Sequence, residues 1–222
     1  MNVHSQKRVA QRGQPQRGRG RPPIEGLRAQ LLDAALRTFA ERGYHGAAVP
    51  EVARAAGVAT GTLYRYFASK EALVNEVFRA AKTRLRAALF DGMDVDRARD
   101  GAPEPLFGAI WRRLCAFARA EPLAFRFLEM QDHAPYLDAT SRALERAVLH
   151  PIWLGASRLG LAGHGRMSAE SAIAFVWGAL VGLFKAERLG YVTLDDATLD
   201  RARVAAWTAV MATTEPPRRR RG

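Results

Sequence analysis

Apolar residues in the first third of the chain recur at the spacing of short amphipathic helices. One helical face over residues 27–42 consists of Leu27, Leu31, Ala35 and Phe39. Gly43 follows at the position of a left-handed C-terminal cap. Pro50 suits the start of a second short helix that Gly57 ends, and a third covers residues 60–67. The pattern therefore predicts three short helices, with a tight turn between the second and the third.

The rest of the chain continues the helical pattern over longer segments. Ser69 is placed as the N-cap of a long fourth helix whose apolar residues are Leu73, Val77, Phe78, Ala81 and Leu85. A polar break over residues 92–103 precedes further helical patterns at 104–119, 122–131, 138–162, 168–189 and 195–213. Period-two alternation is nowhere long enough to predict a strand. We predict an all-α protein in which a long helix joins a three-helix unit to a larger helical domain.

Positive charge is concentrated near the two ends of the sequence. The 222 residues have a formal net charge of +12. Residues 1–23 hold six Lys and Arg residues and no acid, and residues 218–221 are four arginines. The body between them is nearly neutral, so the end segments supply the long-range attraction to a polyanion. Nucleic acid is the favoured polyanion, and an anionic membrane surface is the alternative.

Several classes of protein are disfavoured by features that the sequence lacks. Cys115 is the single cysteine, which excludes an intramolecular disulfide and a cysteine metal cluster and fits a reducing cytoplasm. The longest apolar run, residues 172–184, is shorter than the roughly 20 residues that span a bilayer. Nucleophile-elbow, phosphate-loop and zinc-protease motifs are absent. We expect a soluble cytoplasmic protein, associated with the nucleoid, without metal, cofactor, membrane partner or enzymatic activity.

The second and third predicted helices have the spacing of a DNA-binding helix-turn-helix. In that motif a tight turn sets the later helix in the major groove. Residues 52–73 read VARAAGVATGTLYRYFASKEAL, and residues 39–44 read FAERGY. Over about residues 28–78 the chain closely resembles the DNA-binding domain of the TetR family of bacterial regulators. The resemblance implies an N-terminal helix-turn-helix domain and a C-terminal domain that binds a ligand and dimerises.

The resemblance assigns contacts with double-stranded DNA to seven residues. They are Thr60, Gly61, Thr62, Tyr64, Arg65, Tyr66 and Lys70. Gly61 allows a close backbone approach to DNA, and the hydroxyl groups suit sugar-phosphate contacts. Arg65 suits a phosphate or a guanine edge, and Lys70 suits a phosphate. The alternative is that Leu63, Tyr64 and Phe67 form the core of the three-helix unit, which we prefer for Leu63 and Phe67.

Two positions depart from the pattern of the family. Residues 47–49, Ala-Ala-Val, precede Pro50 where the family often has a Thr or Ser hydroxyl. Ala59 and Thr60 stand where many members have Ser and Lys before the glycine. We therefore expect one helix cap and one phosphate contact fewer, and a larger share of the DNA affinity in the N-terminal tail.

A short basic motif lies within that tail. Residues 16–23 read QRGRGRPP and resemble an AT-hook, whose core is Gly-Arg-Pro. Such segments lie in the narrow minor groove of A·T-rich DNA, where arginines meet an enhanced negative potential. The resemblance gives this role to Arg17, Arg19 and Arg21. The alternative is a generic basic tail that contacts phosphates without sequence preference, and both forms steepen the salt dependence of binding.

The last two predicted helices are candidates for a homodimer interface. Apolar residues surround most of the predicted helix 168–189, which a single intramolecular neighbour would not require. Gly178 and Gly182, four residues apart, permit close helix approach. The residues assigned to the interface are Ile173, Trp177, Leu180, Phe184, Leu199, Trp207 and Val210. The alternative is a purely intramolecular core.

A ligand-binding domain needs aromatic walls and a few polar groups. The candidates in the C-terminal half are Trp111, Phe127, His133, Tyr136, Trp153 and Trp177. Aromatic residues at helical spacing more often form ordinary core, which is the alternative for the whole set. His133 has no second metal ligand one helical turn away, so a surface or capping histidine is favoured over a metal site.

Together these features predict a ligand-responsive transcriptional regulator with four segments. They are a disordered basic tail (1–23), a helix-turn-helix domain (24–75), a ligand-binding and dimerisation domain (76–214) and a basic C-terminal tail (215–222). The resemblance implies a repressor that binds a palindromic operator as a dimer and is released by an unknown small-molecule effector. The alternative is an architectural DNA-binding protein that senses no ligand.

Overall fold

The computed structural model describes residues 26–93, 102–129, 132–158 and 167–212. Within these ranges all regular secondary structure is helical, so the predicted all-α fold is confirmed. The helices of the described ranges are α1 (Leu27–Gly46), α2 (Val49–Ala55), α3 (Thr60–Tyr64), α4 (Lys70–Phe90), α5 (Pro103–Ala120), α6 (Pro122–Glu129), α7 (Ala139–Arg158), α8 (Ala169–Arg188) and α9 (Asp196–Met211).

Helices α1 to α3 form the three-helix unit that the apolar spacing predicts. Leu31, Phe39, Val52 and Leu63 are almost fully buried within the core to which the unit belongs. Gly57 has a φ of 68°, and next to it the Val58 N–H donates to the carbonyl of Ala53 at 2.9 Å. A left-handed residue of this kind costs a glycine little, so the predicted tight turn between α2 and α3 is present.

The ends of these short helices differ from the prediction in three places. α1 extends to Gly46 across a kink at Gly43, whose φ of 71° is that of a helix end. α2 begins at Val49, one residue before Pro50; Ala48 makes no side-chain cap, and the Glu51 carboxylate accepts from the Ala48 N–H at 3.2 Å. α3 ends at Tyr64, not at Phe67, because the chain turns there before the next helix begins.

Helix α4 belongs to both halves of the molecule. Its predicted N-cap is confirmed, since the Ser69 hydroxyl accepts from the Ala72 N–H at 3.1 Å. The helix packs against α1 and also against α5, α6 and α7. Its buried apolar residues belong to one core cluster that continues from α1 into the C-terminal helices; those of α4 are Leu73, Val74, Val77, Phe78, Ala81, Leu85 and Leu89. The three-helix unit therefore has no separate core of its own.

Three polar residues of α4 contact the segment between α6 and α7 and the start of α7. Asn75 is buried, donates to the carbonyls of Glu71 and Tyr136 at 2.8 Å each, and accepts from the Asp138 N–H at 2.9 Å. Arg79 donates to the Asp138 carboxylate at 2.9 Å. Lys82 pairs with Glu145 of α7 at 3.4 Å. We call Asn75, Arg79 and Lys82 the polar stripe of α4.

The apolar helix α8 is unusually exposed. In the described ranges it alone combines the overall length and the mean hydropathy of a candidate membrane span, and only 17% of its apolar window is buried within the chain. Glu170 and Lys185 lie near its two ends, so the uncharged stretch between them covers about 21 Å at the usual helical rise. The hydrocarbon core of a bilayer is about 30 Å thick, so this stretch is too short to span it. The length of the uncharged stretch therefore does not favour a membrane-spanning α8.

The first testable prediction concerns the buried amide of Asn75. We expect Asn75→Ala to lower the free energy of unfolding by about 2–3 kcal/mol, because three hydrogen bonds are lost and buried backbone groups are left unpaired. Gln30→Ala is the matched control, since this exposed amide donates a single bond, to the Ala56 carbonyl at 3.0 Å. It is expected to cost about 1 kcal/mol or less. Urea unfolding at one protein concentration measures both, and equal losses would contradict the assignment.

Candidate DNA-binding surface and ligand cavity

The surface of α3 and the turn before it carries the residues predicted to contact DNA. Gly61, Tyr64 and Arg65 are exposed, with 49% of Tyr64 accessible. A side chain at Gly61 would meet no atom within 4 Å, so the space over the start of α3 is open. Thr60, Thr62, Tyr66 and Lys70 are half-buried on the same segment. An exposed polar face at the start of a short helix is the geometry that enters a major groove.

The apolar residues of α3 and of the turn after it lie on the opposite side. Leu63 and Phe67 are fully buried, which confirms the preference for core at both positions. The ring of Phe67 also lies 5.4 Å from the guanidinium carbon of Arg28 on α1. Tyr64 is not part of this core, because half of its surface faces solvent. The burial of Leu63 and Phe67 thus stabilises α3, which is too short to be a stable helix on its own.

Tyr44 organises the start of α4, and the sequence analysis gave it no role. Its hydroxyl donates to the Glu71 carboxylate at 2.5 Å, and the Lys70 ammonium lies 4.4 Å from its ring centroid. Burial, with the hydrogen bond to Glu71, raises the pKa of Tyr44 to about 12, and the same bond lowers the pKa of Glu71. Tyr44 therefore holds Lys70 in place. Its position directly after Gly43, where α1 kinks, was the feature of the sequence that could have drawn attention to it.

A second aromatic cluster continues from Tyr44 towards α6. The rings of Tyr44 and Tyr136 stack at 4.3 Å, and the Tyr136 hydroxyl lies 2.7 Å from His133 Nδ1. His133 Nε2 lies 3.1 Å from the carbonyl of Phe127. A carbonyl only accepts, so Nε2 bears the proton and Nδ1 accepts from Tyr136. Burial, together with the nearby Lys82, lowers the pKa of His133, which is consistent with the neutral ring.

This cluster corrects the sequence interpretation of three candidate ligand residues. Phe127, His133 and Tyr136 fill the space between α4, α6 and Tyr44 and do not line the large cavity described below. His133 is buried and hydrogen-bonded at both ring nitrogens, so it is neither a surface nor a capping histidine. Helical spacing placed these residues on the inner side of their segments but did not distinguish a core from a cavity wall.

A large cavity lies between α4, α5, α7, α8 and α9. Its volume is about 1160 Å³, which is at the upper end of ordinary ligand sites. Three of the predicted residues, Trp111, Trp153 and Trp177, line it together. Much of the remaining wall is aliphatic or aromatic; representative residues are Leu85, Leu89, Phe107, Ile110, Leu114, Ile152, Ile173 and Val176. Pro151 lines the cavity within α7, where it removes one backbone hydrogen bond of the helix.

A few polar side chains interrupt the apolar wall. Lys82 of the polar stripe lines the cavity with its partner Glu145. Burial lowers the pKa of Lys82, and the charge of Glu145 opposes that shift. At another part of the wall the indole N–H of Trp153 donates to Glu170 at 2.7 Å. The Lys82–Glu145 ion pair was not found by sequence analysis, because the two residues are 63 positions apart in the sequence.

No cluster of three potential metal ligands occurs among the residues that the structure describes. Cys115 is buried, and burial raises the pKa of its thiol to about 11, so the thiolate is scarce at neutral pH. Arg17, Arg19 and Arg21 of the AT-hook-like segment lie outside the described residues.

The residues assigned to the dimer interface fall into three groups. Leu180, Leu199 and Val210 are buried within the chain and present no surface to a partner, so their assignment is corrected. Ile173 and Trp177 line the cavity. Phe184 packs on Phe125, with ring centroids 5.4 Å apart, and Trp207 packs on Phe107 at 5.3 Å. The large apolar residues of α8 and α9 named here thus belong to the core and the cavity wall of the same chain.

The exposed faces of α8 and α9 are made of other residues. On α8 one face at helical spacing consists of Ser171, Ala174, Phe175, Gly178, Gly182 and Lys185. On α9 the exposed residues at helical spacing are Arg201, Val204, Ala205 and Thr208, and the exposed Ala212 follows as its C-cap. We call these two sets the outer face of α8 and α9. Side chains at Gly178 and Gly182 would meet no atom of the chain within 4 Å.

Two family models together match most of the chain. Residues 31–77 match the model described as bacterial regulatory proteins of the tetR family. Residues 91–212 match the model of the tetracyclin repressor-like C-terminal domain. The first match contains α2, α3 and the exposed surface of α3, and the second contains α5 to α9, whose helices form much of the cavity wall.

Curated relatives share the N-terminal part. The HTH-type transcriptional repressor KstR2 of Rhodococcus jostii is 48% identical over 54 residues, which is 24% of this chain and 26% of that protein. The fatty acid metabolism regulator protein of Bacillus subtilis is 46% identical over 50 residues, 22% of this chain and 26% of that protein. The chain thus matches about a quarter of the length of these two relatives.

Solved structures share the whole fold. A TetR family protein from Vibrio parahaemolyticus has 26% identity and a TM-score of 0.64 and covers 83% of this chain and 98% of its own. The fatty acid degradation regulator FadR from Bacillus halodurans has 20% identity and a TM-score of 0.55, with 81% and 97% covered. With both the helix-turn-helix and the C-terminal domain matched, the chain belongs to the TetR family of bacterial regulatory proteins.

Proposed function

We propose that the protein is a dimeric, ligand-responsive transcriptional repressor that binds a palindromic operator in the bacterial cytoplasm. The observation that supports this best is helix α4, which begins beside the exposed surface of α3 and ends in the wall of the cavity. One continuous helix thus connects a DNA-binding surface to a chamber of ligand size. The family and its relatives are regulators, which agrees with a protein that is not an enzyme.

DNA binding is assigned to the residues predicted from the sequence. Gly61, with Thr60 and Thr62, would bring the start of α3 close to base edges, and Tyr64 and Arg65 would contact the groove and its rim. Tyr66 and Lys70 would contact phosphates on the side that faces α4. In a two-fold dimer the two α3 helices would lie about 34–36 Å apart, or a multiple of that distance, on successive turns of one DNA face.

The N-terminal tail would add a second contact with DNA. Arg17, Arg19 and Arg21 would lie in an A·T-rich minor groove beside the operator. Six positive charges per tail would also steepen the dependence of affinity on salt.

Dimerisation is assigned to the outer face of α8 and α9. Phe175 and Val204 are exposed apolar residues on neighbouring helices, and the glycines of α8 leave room for a helix of the partner to approach. A second copy would cover apolar surface that this chain leaves in water. This assignment replaces the interface predicted from the apolar residues alone.

The cavity is assigned to the effector. Its size and apolar wall favour a large, mainly apolar molecule, with Trp111, Trp153 and Trp177 among its contacts. The names of two similar proteins refer to fatty acid metabolism or degradation, which agrees with an apolar effector for this chain.

Selection of bound sequences from a random DNA library tests the proposal, using the full chain beside a version that lacks residues 1–23. A palindrome selected by both proteins, with flanking A·T preference lost on truncation, would support the repressor and the tail together. If neither protein selects a motif, the proposal fails, and an architectural DNA-binding protein takes its place.

The second testable prediction concerns Lys70. Lys70→Ala is expected to weaken binding to all DNA sequences by a similar factor, because a phosphate contact is not sequence-specific. The slope of log affinity against log salt should become shallower by about 0.9 for each protomer. Arg86→Ala is the matched control, as an exposed cation farther along the same helix, and should leave the slope unchanged. A change in sequence preference with an unchanged slope would contradict the assignment of Lys70.

The third testable prediction concerns the outer face of α8. Gly178→Leu is expected to shift the protein from dimer to monomer, because the added side chain has free space within the chain but would obstruct a close partner helix. Its helix should not be weakened, since leucine is a better helix former than glycine. Ala29→Leu, an exposed substitution on α1, is the control. Sedimentation velocity measures the outcome, and a Gly178→Leu protein as dimeric as its parent would place the interface elsewhere.

A further inference from the structure

Lys82 is the most deeply buried charged residue in the wall of the cavity. Only 10% of its side chain is exposed, and it forms an ion pair with Glu145, with 3.4 Å between the ammonium nitrogen and the carboxylate oxygen. The ammonium also lies 5.4 Å from the ring centroid of Phe78. An ammonium has three N–H donors, so one carboxylate at this distance leaves capacity for an acceptor inside the cavity.

The two members of this ion pair differ in their access to water. The side chain of Glu145 is 35% exposed, compared with 10% for Lys82. Glu145 can turn towards solvent and regain hydration, whereas Lys82 is fixed on α4 and would become an unpaired buried charge. A ligand anion that takes the place of Glu145 therefore keeps the buried cation paired. A ligand cation that paired with Glu145 would leave Lys82 without a partner.

The other charged groups of the wall do not offer a comparable site. Arg146, His150 and Glu170 are exposed, and Glu170 already accepts from the Trp153 indole N–H at 2.7 Å. His133 does not line the cavity, and both of its ring nitrogens are hydrogen-bonded within the chain. Near Lys82 the cavity is lined by apolar residues of α4 and α5, such as Leu85 and Leu114.

We infer that the cavity binds large apolar acids, and that the anionic group of the ligand replaces Glu145 at the Lys82 ammonium. The inference rests on the proposed function, since it names the chemical class of the effector and the residue that selects it. The apolar wall would accommodate the body of the ligand, and Lys82 would distinguish an acid from a neutral or cationic molecule of equal size. The exchange would also release Glu145 of α7 from α4, and so loosen one contact of the polar stripe.

A matched series of ligands tests this inference, with isothermal titration calorimetry on the full-length dimer. The probes are dodecanoate, dodecan-1-ol and the dodecyltrimethylammonium ion, which share one alkyl chain and differ in the charge of the head group. They are used below the concentrations at which they aggregate. We expect dodecanoate to bind more tightly than either of the others by about tenfold or more, as for a hydrogen bond to a charged partner. A change in tryptophan fluorescence reports whether the alkyl chain of the probe enters the cavity, because Trp111, Trp153 and Trp177 line it.

Two variants test the role of Lys82 itself. Lys82→Met keeps the length of the side chain and should abolish the preference for dodecanoate, whereas Arg146→Met, at an exposed cation of the wall, should preserve it. Glu145→Gln should raise the affinity for dodecanoate, because the ligand no longer has to displace a carboxylate. If Lys82→Met does not fold, Glu145→Gln still tests the inference, and an unchanged affinity for dodecanoate would contradict it.

Each other outcome overturns the inference in a distinguishable way. Equal binding of the alcohol, or a preference that persists in Lys82→Met, would show an apolar cavity without an acid-selective site and leave the proposed effector binding intact. Failure of all three probes to bind would exclude this ligand class. The selection of bound DNA sequences tests the proposed repressor function independently of these ligand measurements.

Discussion

The placement of the DNA-binding unit depends on the polar contacts that α4 makes with the segment before α7. Asn75 makes two hydrogen bonds there, with Tyr136 and Asp138, and a third to the Glu71 carbonyl of its own helix. Arg79 and Lys82 continue the same stripe along α4. The hydrophobic effect is non-directional, whereas buried hydrogen bonds have one geometry in which all partners are satisfied. The stripe therefore sets the angle of α4, and with it the position of α3.

The same helix, α4, also forms part of the wall of the cavity. Lys82 is both a member of the stripe and a residue of the cavity wall, so a ligand bound beside it changes a contact that orients α4. The cluster of Tyr44, Tyr136 and His133 forms a second connection between the start of α4 and α6. A ligand needs to favour one arrangement of these contacts over another to change DNA affinity, and no larger rearrangement is required.

Much of the fold follows from local chemistry that is visible in the sequence. The cap at Ser69, the turn at Gly57 and the burial of Leu63 depend on residues close together in the chain, so spacing alone predicts them. Residues such as Tyr44, Lys82 and His133 gain their roles from distant neighbours, which periodicity does not identify. The same reason explains why Leu180, Leu199 and Val210 were assigned to the dimer interface although they are buried in the chain. An apolar residue suits a core and an interface equally well.

Binding of DNA with altered half-site spacing tests most directly whether the stripe orients the DNA-binding unit. The measurement compares the dissociation constants for the selected palindrome and for the same palindrome with one base pair inserted at its centre, in the parent protein and in Asn75→Ala. A rigid dimer fits one spacing, so we expect a large loss of affinity for the parent and a clearly smaller loss for Asn75→Ala. Equal losses in the two folded proteins would contradict the account.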